Sequence, residues 1–180
     1  MFSKNKKNKK TMLMSSRGMF YRGEHNRTGT ASASGLNQKF EGDLAILNVA
    51  LGLEHQAIAA YNAGAASKLL SPDQLKVAVS FQSEHKHHRD EIIKLIRRFK
   101  GTPVEPKSNY DFGTITSAAD IIKLARDLEE GAAKAYLANA YKLESYEILS
   151  AAVPILVDEV RHTTVFNQLL GLSVTDRLKV

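Results

Sequence analysis

The sequence has no cysteine. Disulfides, thiolate-held zinc, iron–sulfur clusters and cysteine nucleophiles are excluded by inventory, so any metal must be held by His, Asp and Glu. Prolines number four, which suits a chain that is mostly helix. There is no run of eighteen or more uninterrupted apolar residues, so no membrane span is expected. Acidic side chains are nearly missing from residues 1–40, where nine Lys or Arg stand against Glu24 alone, a charge of +8. The other 140 residues carry sixteen basic and eighteen acidic side chains, or −2, so the overall +6 describes neither part.

Residues 1–40 are basic, contain Ser, Gly and Asn, and lack helical periodicity. They read as a disordered, solvated arm or a targeting segment ahead of a folded body. Met12, Leu13 and Met14 are too few for the apolar core of a secretory signal, and Ser16-Arg17-Gly18-Met19-Phe20 has one arginine where a twin-arginine signal needs two. Without such an address the protein is cytoplasmic; with one it is exported or organellar. Nucleic-acid binding by the arm is a lesser alternative. The body, residues 41–172, is long enough for one domain, and 43% hydrophobic residues supply its core, leaving 173–180 as a short tail.

From residue 43 the apolar positions recur with helical spacing. Leu47, Leu51, Glu54, Ile58, Tyr61 and Ala65 share one face of a first helix. A second opens with the capping box Ser71-Pro72-Asp73-Gln74 and is expected to carry Val77, Phe81, Glu84 and His87 on one side. Residues 101–116 contain two prolines and no period, which predicts a crossover rather than a hairpin. A third helix begins at Ser117, with Asp120 closing its cap, and carries Glu129 and Tyr136; a fourth runs from about Ser145 to Leu170 with Glu159 and His162 inside. Pro154 is expected to kink or bulge it about one turn before Glu159. The expectation is an all-α protein, a four-helix bundle with a long crossover between helices 2 and 3.

An internal repeat selects the chemistry-bearing residues. Leu53-Glu54-x-x-Ala57-x-x-Ala60-Tyr61 matches Leu128-Glu129-x-x-Ala132-x-x-Ala135-Tyr136 at an offset of 75. The same offset lays Glu84 on Glu159 and His87 on His162, so each half reads Glu, Tyr, then Glu-x-x-His. Glu84 and His87, three apart, lie on one helix face. His88 would fit that geometry equally well, but its counterpart is Thr163, so His87 is the expected ligand and His55, His85 and His88 are read as rim or surface. Six ionisable groups facing a core would each cost several kcal/mol unpaired. Two divalent cations between four carboxylates and two imidazoles would neutralise them, in the arrangement known for di-iron and di-manganese bundle sites. The hard oxygens suit iron, or alternatively manganese.

At these residues the chain resembles the ferritin-like superfamily, in particular its rubrerythrin-like and ferritin-like-domain groups, the latter including desiccation-related proteins. Gly101-Thr102-Pro103-Val104 and Tyr110-Asp111-Phe112-Gly113 add to that similarity. The resemblance implies a dinuclear non-haem metal protein of ferroxidase or peroxidase type, which oxidises Fe(II) and reduces dioxygen or peroxide in iron handling or stress protection. It implies Glu54 and Glu129 as terminal or bridging ligands, Glu84 and Glu159 as bridging ligands, and His87 and His162 as one nitrogen ligand each. Tyr61 and Tyr136 would each hydrogen-bond a carboxylate of the other half. Ala132 stands where rubrerythrins have an extra carboxylate, and their cysteine-held electron relay is missing, so the electron donor is unidentified. Nine residues after Gly171 are too few for a fifth helix, so a storage shell is not implied, though a homo-oligomer is compatible. The alternative is a stress- or desiccation-associated binding protein whose metal chiefly stabilises the bundle.

Overall fold

The computed structural model describes residues 40–175. The expected basic arm, apart from Phe40, and the end of the tail lie outside the described residues. Within them are four helices and no strand: α1 (Glu41–Ala66), α2 (Pro72–Arg98), α3 (Ala118–Ala140) and α4 (Tyr146–Leu169). Each start after the first has a side-chain reason. Ser71 Oγ accepts the Gln74 N–H at 3.3 Å while Gln74 Oε1 accepts the Ser71 N–H at 2.9 Å, a complete capping box. Ser117 and Asp120 repeat it, at 3.2 and 2.9 Å. Ser145 caps α4 more loosely, at 3.4 Å to the Ile148 N–H. There the buried Asp43 of α1 helps, accepting the N–H groups of Glu144 and Ser145 at 3.0 and 2.8 Å. The start of α4 is thereby tied to the start of α1. Pro154 lies inside α4, which continues through it.

The helix ends are equally determined. α4 stops at Gly171, whose φ of 68° allows Leu172 N–H to reach Asn167 O at 2.8 Å and Gly171 N–H to reach Gln168 O at 3.1 Å. α2 stops with the same pair of bonds, Gly101 N–H to Ile96 O at 2.8 Å and Lys100 N–H to Arg97 O at 3.0 Å. Here a lysine, Lys100, takes the left-handed position with φ 61°. A lysine there bears a steric cost that glycine avoids. Lys100→Gly should therefore raise stability by about 1 kcal/mol, read as a higher urea midpoint; no change would show that the turn relaxes elsewhere.

α1 packs most extensively on α2, and α3 on α4, as expected of two antiparallel hairpins with short loops. Contact between the hairpins is closer along α1 and α3 than along α2 and α4, so the bundle is most open between α2 and α4. The crossover, residues 101–116, runs back over α1. Asn48 holds it, with Oδ1 accepting the Val104 N–H at 2.8 Å and Nδ2 donating to Thr102 O at 3.2 Å. His55 Nε2 lies 3.2 Å from Val104 O, so that histidine serves the crossover. α1 is long and apolar enough to cross a membrane by length and composition. It nevertheless buries Leu47, Leu51, Ala57 and Tyr61 in the bundle, with Glu54 among them, as a core helix does.

Two apolar clusters fill the interior. One joins Leu47, Leu51, Ile92, Ile96, Tyr136, Ile148 and Ile155; the other joins Ala57, Tyr61, Ala78, Phe81, Ile122, Ala125 and Phe166. Along each helix a polar residue separates them: Glu54 on α1, His85 and His88 on α2, Glu129 on α3, Glu159 and His162 on α4. The charged layer is thus closed above and below by hydrocarbon.

Candidate metal centre

Each of these six residues is at most 4% exposed. Four of them, Glu54, Glu129, Glu159 and His162, are residues that the repeat singled out. The other two correct it. His87 is exposed on the outer side of α2, while His85 and His88, read as rim or surface, point inward. Glu84 is half-buried and lies outside the inner layer, where it pairs with His162 and Arg161.

The reason is one residue of helical phase. The offset of 75 holds for α1 against α3, pairing Glu54 with Glu129 and Tyr61 with Tyr136. From Glu54 to its end, α1 is one residue longer than α3 is from Glu129. The inner residues of α2 and α4 therefore match at an offset of 74: His85 with Glu159, His88 with His162, and Glu84 with Asp158. One residue turns a helix by about 100°, enough to exchange an inner side chain for an outer one. The signal was present in the apolar residues, because Phe81, His85, His88, Ile92 and Ile96 form a 3.6-residue stripe with buried isoleucines at its end. The alternative stripe through Glu84 and His87 runs into the charged Glu91.

The donor atoms form two adjoining groups. Glu54, His85, His88 and Glu159 make one, and His85, Glu129, Glu159 and His162 the other, with the ligand atoms of each within 4.8 Å of one another. His85 lies between them, its Nδ1 2.8 Å from Glu54 Oε2 and its Nε2 2.9 Å from Glu129 Oε1. His88 Nδ1 lies 3.4 Å from Glu159 Oε1, and His162 Nδ1 lies 3.3 Å from Glu129 Oε2. The tyrosines cross between halves: Tyr136 donates to Glu54 Oε1 at 3.1 Å, and Tyr61 donates to Glu129 Oε1. Each phenol thus occupies one oxygen and leaves the other free to face inward.

Outside this layer the half-to-half symmetry continues. His88 Nε2 faces Asp158 Oδ2 at 3.3 Å, and His162 Nε2 faces Glu84 Oε2 at 2.9 Å. An outer carboxylate on each Nε2 fixes the proton there and turns the Nδ1 lone pair inward, as metal-ligating histidines require. Arg161 bridges the two carboxylates, reaching Glu84 across the open side between α2 and α4 and, at 2.9 Å, Asp158 on its own helix. Phe81 stacks on the His162 ring with centroids 3.9 Å apart and keeps it in place.

Burial and charge pairing set the proton affinities within the layer. Burial alone would push the His85 imidazolium to lose its proton, but hydrogen bonds to Glu129 and Glu54 outweigh it and hold the group up to about 10. Burial, reinforced by the neighbouring Glu129 carboxylate, keeps Glu159 well above the usual carboxylate range. Against the cost of burial, Glu54 is held below that range by His85 and His88, and Glu129 well below it by His162 and His85. Burial and the nearby carboxylates raise both tyrosines, which remain donors. Even so, three buried atoms have no hydrogen-bond partner: His88 Nδ1 and both oxygens of Glu159. All three are lone-pair atoms of metal-ligating types facing the middle of the layer, and buried polar atoms are rarely left so. The residues fit a cation.

A family model described as ferritin-like domain matches residues 42–172. No curated protein matches the chain. Among solved structures, a conserved hypothetical protein, rv2844, from Mycobacterium tuberculosis is similar, with 26% identity and a TM-score of 0.66 over 72% of this chain and 98% of that one. The matched span contains the four helices, save Glu41 at the start of α1, and all six inward side chains, and the chain belongs to the ferritin-like domain family.

Proposed function

We propose that the inner layer holds a pair of redox-active cations, iron or alternatively manganese, and that the protein oxidises Fe(II) with dioxygen or peroxide. The observation that carries this reading is the pair of adjoining donor groups sharing His85 and Glu159, with three partnerless ligand atoms between them. Iron bound there would supply the electrons that dioxygen or peroxide takes up; peroxide needs two, one from each of two Fe(II), and two protons to give water. The protein's own residues prepare the place. Tyr61 and Tyr136 hold one oxygen of each terminal carboxylate, while Glu84 and Asp158 orient the two histidines. The apolar clusters exclude water from both ends. A small cavity touching Glu54, His85 and Glu129 is walled by Leu53, Ala57, Leu128 and Ala132, an apolar approach for a small uncharged oxidant.

The test is to load the metal-free protein anaerobically with Fe(II), add air, and follow oxygen uptake and the ferric absorption. Uptake in proportion to added iron, lost in Glu159→Ala, is the expected result. A cation that raises the melting temperature without any oxygen or peroxide consumption would instead assign it to holding the bundle together.

A further inference from the structure

Ligand sets with a Glu-x-x-His on each of two helices treat two cations alike, because each shared carboxylate gives one oxygen to each cation. Here α4 keeps that pattern with Glu159 and His162, but α2 presents His85 and His88. A neutral imidazole has one lone pair and can serve one cation only. Building on the paired-cation reading, we infer that the two positions are unequal: a closed position with four protein ligands and an open one with three.

The distances show which is which. Glu54 Oε2, His85 Nδ1, His88 Nδ1 and Glu159 Oε1 are separated by 2.8 Å (Glu54 to His85), 3.4 Å (His88 to Glu159), 3.8 Å (Glu54 to His88) and 3.9 Å (His85 to Glu159). Donors around a tetrahedral cation with bonds near 2.0–2.1 Å stand roughly 3.4 Å apart, so three of these four separations lie within about 0.5 Å of that spacing and the Glu54–His85 hydrogen bond would open by about 0.6 Å to admit a cation. The partnerless His88 Nδ1 and Glu159 Oε1 both belong to it. With its Nδ1 lone pair used there, His85 presents Nε2–H to Glu129 Oε1, 2.9 Å away, which also accepts from Tyr61. Glu129 Oε1 is then fully engaged. The second position has Glu129 Oε2, Glu159 Oε2 and His162 Nδ1, with His162 3.3 and 3.9 Å from the two carboxylates. Four protein ligands hold a resident cation more firmly than three, and the position with three keeps the greater number of coordination places for an exchangeable partner. The open position, like the closed one, borders the side between α2 and α4 where the helices are least closely packed. It is the position at which a substrate cation enters and leaves.

Cobalt(II) titration of the metal-free, full-length protein tests this, because four-coordinate cobalt(II) absorbs visible light far more strongly than six-coordinate. One equivalent should bind with strong visible bands, followed by a second more than about tenfold weaker. His162→Ala and Glu129→Gln should remove the weaker phase and keep the strong bands, while His88→Ala should abolish them; circular dichroism confirms that each variant is folded. The wild-type titration stands by itself if His88→Ala does not fold. Two equivalents of indistinguishable affinity, or loss of the strong bands in His162→Ala, would overturn the inequality and leave the paired centre standing. A single equivalent at every cobalt concentration would overturn the open position and the paired-cation reading together.

Discussion

Replacing Glu159 with leucine will make the metal-free protein more stable and leave it unable to hold a cation. Glu159 is wholly buried, and neither of its oxygens finds a hydrogen-bond partner. A carboxyl group in that state costs free energy, about 1–3 kcal/mol for a buried polar group without a hydrogen bond, and well-packed hydrocarbon of similar volume removes the cost. The gain should depend on pH in a definite sense. Burial and Glu129 hold the folded-state value of Glu159 well above the usual carboxylate range, so the folded state binds the proton more tightly than the unfolded one. The penalty is absent below about pH 4, where both states are protonated, and grows as pH rises toward the folded-state value. Urea unfolding at pH 5 and pH 8, with chelator present, should show the larger gain at pH 8. A loss of metal-free stability at both pH values would mean that Glu159 has partners in solution that satisfy it. With cations present the order should reverse, because Glu159 belongs to both donor groups and its loss removes the stabilisation that binding supplies.

Three histidines within four residues of α2 should give sharply different results. His87→Ala should change unfolding by less than about 0.5 kcal/mol and leave cation binding intact, since the side chain is exposed. His85→Ala removes the group between Glu54 and Glu129 and leaves two buried carboxylates without their common partner, a loss of about 3–5 kcal/mol in the metal-free protein. His88→Ala should cost less without metal, because its Nδ1 makes no hydrogen bond and only ion pairs at 3.4 and 3.8 Å with Glu159 and Glu54, yet should weaken cation binding strongly. Denaturant curves with chelator, and the same curves with cation, separate the three. Equal damage from His87→Ala would return the inner face to the phase that the offset of 75 suggested.

The outcome for these histidines marks how far the sequence is legible. The bundle could be read because its signals are local: the boxes at Ser71 and Ser117, the glycine after α4, and the absence of any period between 101 and 116. Glu54, Glu129, Tyr61 and Tyr136 could be read because one offset relates α1 to α3. The inner face of α2 could not be read from that offset, since a single extra residue near the end of α1 changes the phase without breaking either helix. Two weak cues had to be weighed, a repeat and an apolar stripe, and the stripe reports burial directly. The outer carboxylates Glu84 and Asp158 were legible only in part: each precedes an inner residue by one position, a relation visible once the inner residues are known.

The two hairpins divide the donor set evenly. Glu54, His85 and His88 come from α1 and α2, and Glu129, Glu159 and His162 come from α3 and α4, while the closest packing lies within each hairpin. Neither hairpin brings a complete donor group of its own. Hairpins can therefore form early from contacts near in sequence, whereas capture of a cation must wait until the two have docked. A cation bound this late acts mainly on the reverse reaction: it delays separation of the hairpins and leaves the rate of their formation nearly unchanged. Withdrawal of metal would then shorten the lifetime of the folded chain more than it slows its making.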